Sequence, residues 1–205
     1  MSTPAIAGTL VQRVLPRTVT RDVLLVGTGA LAVAVMAQVS LPLPFSPVPI
    51  TGQTLAVMVI AAAYGATLGT ATMMLYGVLG LVGLPVFADA SGGIHVVTSP
   101  TFGYVVGFVV AAYVIGRLSE RHWDRRPVTS LAAFGLASAI PFCTGIPWLA
   151  FTLTLGGTPT TLWQAVQLGF IPFIIPGIIK WMLAAGILPA AHRAVTALTQ
   201  GRHQD

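Results

Sequence analysis

The sequence predicts an all-α integral membrane protein of six transmembrane helices with both termini in the cytoplasm. Three observations carry that prediction. Of the 205 residues, 55% are hydrophobic and only 7% are charged, whereas an ordinary soluble domain carries roughly 25% charged residues. No Asp, Glu, Lys or Arg occurs between Asp22 and Asp89, or between Arg126 and Lys180. A helix needs about 20 apolar residues to cross the hydrocarbon of a bilayer, so these stretches hold three spans and nearly two. The net charge of +5 comes from arginines clustered between apolar runs, a pattern that membrane topology explains better than nucleic-acid binding does.

Residues 1–21 contain Arg13, Arg17 and Arg21 but no apolar core or small-residue cleavage site, so they read as a retained cytoplasmic segment and not as a signal peptide. Residues 22–195 form the membrane domain and 196–205 a cytoplasmic tail. The predicted spans are Val23–Leu41, Thr54–Leu68, Thr70–Gly83, Gly103–Leu118, Thr129–Leu155 and Gln164–Ala194. Between the first two, prolines 42, 44, 47 and 49 remove amide donors and fix φ, favouring an ordered extended cap over another helix. A second special loop, Pro85–Pro100, contains Asp89, Ser91, Gly92, Gly93 and His95. The fifth span carries Pro141, Gly145 and Pro147 and is expected to kink or break. Cys143, the only cysteine, lies in an apolar run and reads as core. No internal repeat is evident.

Orientation follows from the basic residues, which collect on the cytoplasmic side of short loops. Arg13, Arg17 and Arg21 precede the first span, Arg117, Arg121, Arg125 and Arg126 fall between the fourth and fifth, and Arg193 and Arg202 follow the sixth. With six spans all of these share one side. The proline loop, the Asp89–His95 loop and the Gly156–Thr161 loop contain no Lys or Arg and fall on the other, outside.

Lys180 is the only lysine and sits within the sixth span, where insertion of a cation costs roughly 2.5–3.5 kcal/mol. No acidic residue occurs within the spans as bounded above, so the partner read here is an anionic ligand such as a carboxylate. At about 4 Å that attraction is roughly 4 kcal/mol with an effective dielectric near 20. The alternative is a lysine that snorkels from a helix end. Thr51 and Gln53 follow the proline loop, and Ser99, Thr101 and Tyr104 open the fourth span. Thr101, Tyr104 and Phe108 share one helical face. Such groups suit a neutral ring that both donates and accepts hydrogen bonds; helix capping and interfacial anchoring are the alternative. Asp89 and His95 either close over a ligand or belong to a solvated loop, and the two alone are too few for a metal site. Ala30 and Ala34 form a small-residue pair on the first span, suited to close helix contact either with another subunit or within the chain.

Other chemistries are excluded by what is missing. The single lysine is followed by Trp181, so no Walker A phosphate loop exists. Neither paired carboxylates nor a nucleophile, base and acid set is available for hydrolysis. The reading is of a protein that binds and does not catalyse, with no metal, no cofactor and no nucleic-acid partner, and with active import left to other subunits.

The run Pro42-Leu43-Pro44-Phe45-Ser46-Pro47-Val48-Pro49-Ile50-Thr51-Gly52-Gln53-Thr54-Leu55, followed by Leu75-Tyr76, Gly83-Leu84-Pro85-Val86-Phe87-Ala88, Ser91-Gly92-Gly93 and Ser99-Pro100-Thr101-Phe102-Gly103-Tyr104-Val105-Val106-Gly107-Phe108, resembles the BioY family. These are the biotin-specific S components of energy-coupling-factor importers in bacterial cytoplasmic membranes. The resemblance implies six helices, capture of biotin at the outer face, and a membrane T component with two ATPase subunits as partners. It implicates Gln53, Phe87, Gly93, Thr101, Tyr104 and Lys180 in the ligand site, with Lys180 on the biotin carboxylate, and Ala30 and Ala34 in contact with the T component. Where the family has an Asp three residues before the lysine, this chain has Gly177. An S-type component for another vitamin and a membrane scaffold that transports nothing are the rival readings.

Overall fold

A computed structural model describes residues 9–11, 18–125 and 127–201, without the side chains of residues 125, 127, 196 and 198–201. Arg13, Arg17, Arg126, Arg202 and the tail beyond residue 201 lie outside the described residues. The elements are α1 (Val19–Gln38), β1 (Ser40–Leu43), β2 (Ser46–Thr51), α2 (Gln53–Tyr64), α3 (Ala66–Leu81), α4 (Phe102–Glu120), α5 (Pro127–Leu155), α6 (Leu162–Gly169) and α7 (Ile174–Gly201), with short 3-10 turns at 88–90, 94–98, 123–125 and 171–173.

Among the described residues there are six apolar helical segments, the last of them in two pieces. Among the described residues, α1, α4, α5 and the α6 to α7 segment are long and apolar enough to cross a membrane, while α2 and α3 are shorter. In its most apolar stretch α4 is 50% buried, against 22% for α1, 28% for α5 and 17% for the last segment. It is therefore the hub. It packs on α5, α3 and α2, and the main core gathers Val105, Phe108 and Ile115 of α4 with Val33, Val57, Met73, Phe134 and Leu188. The outer helices leave Leu24, Leu31, Phe151, Ile175 and Met182 exposed.

The proline loop is extended as expected, but it is also paired. Ser40 opposes Thr51, Leu41 opposes Ile50 and Leu43 opposes Ser46, with an irregularity between Leu41 and Leu43. In a two-stranded hairpin each strand has a free edge, and there proline's missing donor costs nothing. This hairpin takes Leu41 out of the first helix, which starts earlier and ends at Gln38. The second and third helices meet at Gly65, with φ of +85°, not at Gly69. That backbone conformation excludes a continuous helix.

The break falls in the last segment, not in the fifth span. Despite Pro141 and Pro147, α5 is one uninterrupted helix of 29 residues; proline's φ is compatible with helix, and each proline removes one amide donor and crowds the carbonyl one turn back. The Thr144 hydroxyl of α5 instead donates to the Gly103 carbonyl of α4 at 2.8 Å. The last segment is the one that breaks, around Pro172, where α6 gives way to a 3-10 turn before α7 begins. The start of α6 is held by a capping box between Thr161 and Gln164.

Ala30 and Ala34 are 1% and 8% exposed. At these two positions α1 packs against the chain's own α2 and α3, while Gly27 on the same face is exposed, and a Cβ there would meet nothing within 4 Å. Cys143 is exposed, not core.

At the end of the bundle away from the hairpin, polar groups lock helix termini together. The Ser119 hydroxyl donates to the Ala62 carbonyl at 2.6 Å and lies 2.7 Å from an Asp124 oxygen, and His192 of α7 reaches that same oxygen at 2.6 Å. Glu120 accepts from the Ala66 amide at the start of α3, at 2.9 Å, and pairs with Arg117 at 3.1 Å.

Candidate ligand-binding site

Beneath the hairpin the helices enclose a cavity of about 350 Å³, within the size range of small-molecule sites. Five stretches of chain supply its wall: the end of β2 with the start of α2, the loop around Phe87, α4, the middle of α5, and the broken segment from Phe170 to Trp181. The lining is mostly apolar.

The polar side starts where β2 runs into α2. Thr51 donates to the Gln53 side-chain oxygen at 2.8 Å, and the Gln53 amide donates to the Tyr76 hydroxyl at 2.5 Å. Gln53 is thereby pinned at the first turn of α2, buried, with its position set by both strand and α3. The Tyr76 ring in turn meets Phe87 edge to face, centroids 5.3 Å apart at 85°. Phe87 lies flat over Gly80, where a Cβ would fall 2.1 Å from its ring. Only glycine leaves room for the ring there. The loop bearing Phe87 is tied to α1 by Gln38, whose amide donates to the Phe87 carbonyl and whose oxygen accepts from the Ala90 amide, each at 3.0 Å.

From α4 come Thr101, Tyr104 and Phe108, all on the cavity wall. Thr101 makes no side-chain cap to α4; its hydroxyl is 3.1 Å from that of Ser99. Tyr104 is buried rather than at an interface, and its hydroxyl donates to the Gly169 carbonyl at 3.0 Å. Its ring stands edge to face on Phe142, which meets Phe170 in the same way. This aromatic group walls the side formed by α5 and the broken segment.

Lys180 points into the cavity and does not snorkel away from it. Its ammonium donates to the Thr51 carbonyl at 2.5 Å and to the Thr54 hydroxyl at 3.1 Å. It is the one charged residue in the lining, and no Asp or Glu is there. Two neutral acceptors solvate the cation without cancelling its charge, so the cavity carries a net positive field at this end. Gly177, one turn earlier, also lines the cavity, and a Cβ there would meet nothing within 4 Å.

Of the seven site residues read from the sequence, Thr51, Gln53, Phe87, Thr101, Tyr104 and Lys180 come together on one cavity wall, and Gly93 does not. With φ of +99°, Gly93 makes the turn whose amide donates to the Gly80 carbonyl at 2.7 Å. This hydrogen bond ties the loop to α3. Asp89 and His95 are exposed and form no ion pair with each other, which matches the solvated-loop alternative. Sequence reasoning missed Thr54, Phe142, Phe170, Phe173 and Trp181 on the wall and Tyr76 and Gln38 behind it. Thr54 had a usable signal, standing beside Gln53. The aromatics of α5 and the broken segment had none, because such residues are equally common on lipid faces.

Comparison with known proteins bears on most of the chain. A model of the BioY family matches residues 7–197. The biotin transporter BioY of Thermotoga maritima is 34% identical over 165 residues, covering 80% of this chain and 92% of that protein. That of Rhizobium etli is 35% identical over 176 residues, covering 81% and 90%, and that of Rhodobacter capsulatus 34% identical over 192 residues, covering 88% and 99%. The fold is similar to the crystal structure of the S-component for biotin from an ECF-type ABC transporter, with a TM-score of 0.74 at 21% identity over 87% of this chain and 95% of that one. With the family match running through almost every described element, the chain belongs to the BioY family.

Proposed function

We propose that this chain is the substrate-binding subunit of a biotin importer, holding biotin in the cavity beneath the hairpin. The observation that carries the reading is Lys180: a lone ammonium with two neutral partners at the end of an otherwise apolar cavity, in a chain whose relatives are biotin transporters. A carboxylate supplies the missing counter-charge, and a charge-assisted hydrogen bond in such a setting is stronger than one between neutral groups. The fused rings occupy the apolar remainder, where Gln53, Thr51 and Thr101 offer both donors and acceptors and Phe87, Tyr104 and Phe142 offer ring faces. Nothing in the cavity is arranged for bond cleavage, and the activity is capture and passage.

The protein spans the bacterial cytoplasmic membrane, with the hairpin outside and both termini in the cytoplasm. Arg117, Arg121 and Arg193 at the end opposite the hairpin support this orientation, following the cytoplasmic preference of basic residues. A membrane T component and two ATPase subunits supply the energy.

The test is equilibrium binding of labelled biotin to the purified protein, beside labelled thiamine and riboflavin. Saturable binding of biotin alone is expected; binding of another vitamin in its place, or of none, rejects the assignment.

A further inference from the structure

A second concavity, of about 470 Å³, runs between α5 and α7 on the side away from the hairpin. It is lined by Val128 and Leu131 of α5 and by Met182, Gly186, Ala190 and Arg193 of α7. Those α7 residues follow one helix face, and the rise from Met182 to Arg193 is about 16 Å. Its floor is low at Gly186, where a Cβ would meet nothing within 4 Å. The walls are open to the surroundings, since Val128 is 79% and Met182 55% exposed.

The two ends of this furrow differ in chemistry. Along its length it is apolar, and at its foot stands the exposed Arg193. No carboxylate lines it. Asp124, in the adjoining turn, is buried against Ser119 and His192, and Glu120 is engaged by Arg117 and the Ala66 amide. Trp123 of the same turn is 40% exposed, an aromatic of the kind that sits at headgroup level. Half of a hydrocarbon core of about 30 Å is roughly the length of the furrow. An apolar track one leaflet deep, ending in a cation at the membrane boundary, has the outline of a single lipid.

We propose that this furrow holds one acyl chain of an anionic phospholipid of the cytoplasmic leaflet, with the lipid phosphate on Arg193. The site is separate from the biotin cavity and rests on the membrane orientation alone. A helix from another protein would match the apolar track, but it would need an acid at a fixed register to meet Arg193, whereas every anionic lipid brings at headgroup depth a phosphate whose charge no choline cancels.

The purified full chain is equilibrated with equal amounts of phosphatidylglycerol and phosphatidylcholine in detergent, and retained lipid is counted by native mass spectrometry. One arginine near a membrane surface contributes about a fivefold preference for an anionic headgroup, so phosphatidylglycerol is retained about fivefold over phosphatidylcholine. Arg193→Gln brings the ratio to parity while labelled-biotin binding is unchanged. Gly186→Leu or, should that variant not fold, Ala190→Leu lowers retention of both lipids by filling the track. Equal retention by the unaltered protein, or a preference that survives Arg193→Gln, overturns the proposal, whichever way the biotin measurement falls.

Discussion

Lys180 and Asp124 are the two charged residues whose surroundings decide most, and they sit in opposite situations. Lys180 has neutral partners and open cavity before it; Asp124 is 2% exposed and already shared between a hydroxyl and an imidazole. Lys180→Ala is therefore expected to leave the empty protein folded and to weaken biotin by at least tenfold, about 1.4 kcal/mol, while binding of the neutral biotin amide changes little. Calorimetric titration with both ligands checks it, and equal losses would show that the lysine does not read the carboxylate. Asp124→Ala should instead cost about 3 kcal/mol of stability by leaving buried partners without their acceptor. A thermal midpoint close to that of the unaltered protein would contradict that role. Both residues bear on what a sequence can reveal. Lys180 was legible because a cation in an apolar run is rare, whereas Asp124 looked like an ordinary loop acid, since nothing in its neighbours announces that Ser119 and His192 converge on it.

At the scale of elements, the runs of apolar residues located the helices, and the prolines located an extended loop without revealing that it pairs as a hairpin. What they left open was continuity. Pro141 and Pro147 mark a helix that does not break, and Pro172 marks one that does. A proline both deprives the carbonyl one turn back of its donor and crowds it, and tertiary partners decide the outcome: α5 is seated along α4, whereas the segment after α6 turns over the cavity. The small face of α1 was ambiguous for the same reason, because Ala30 and Ala34 suit any close helix, and which helix is a property of the assembled bundle. Element packing also yields a prediction. Gly80→Ala places a methyl group on the Phe87 ring, so the ring must swing out of the cavity wall. A loss of tenfold or more in biotin affinity is expected, and Gly83→Ala, whose Cβ would meet nothing within 4 Å, should alter the wall far less despite its strained φ of +108°. Equal effects from both would mean that the ring position is unimportant.

For the whole molecule, the distribution of arginines predicts one orientation, and impermeant thiol labelling in intact cells tests it. In a Cys143→Ser background, a cysteine replacing Thr158 should react from outside and one replacing Arg121 should not. The reverse result would put the cavity on the wrong side of the membrane for uptake. The helix count was legible from spacing, the central place of α4 was not, and six of the seven site residues proved to share a wall. The aromatic half of the cavity was not, because it is assembled from α5 and the broken segment, whose sequences look alike whether they face lipid or ligand.

The break after α6 has a consequence for how this protein tolerates change. The outer piece of the last segment is moored at two points, by the Ser46 hydroxyl to the Leu168 carbonyl at 2.8 Å and by Tyr104 to the Gly169 carbonyl. Each mooring line is a side chain on one shore and bare main chain on the other. Mutation can thus rewrite the side chain of Leu168 without cutting the line, while Ser46 and Tyr104 have no such freedom.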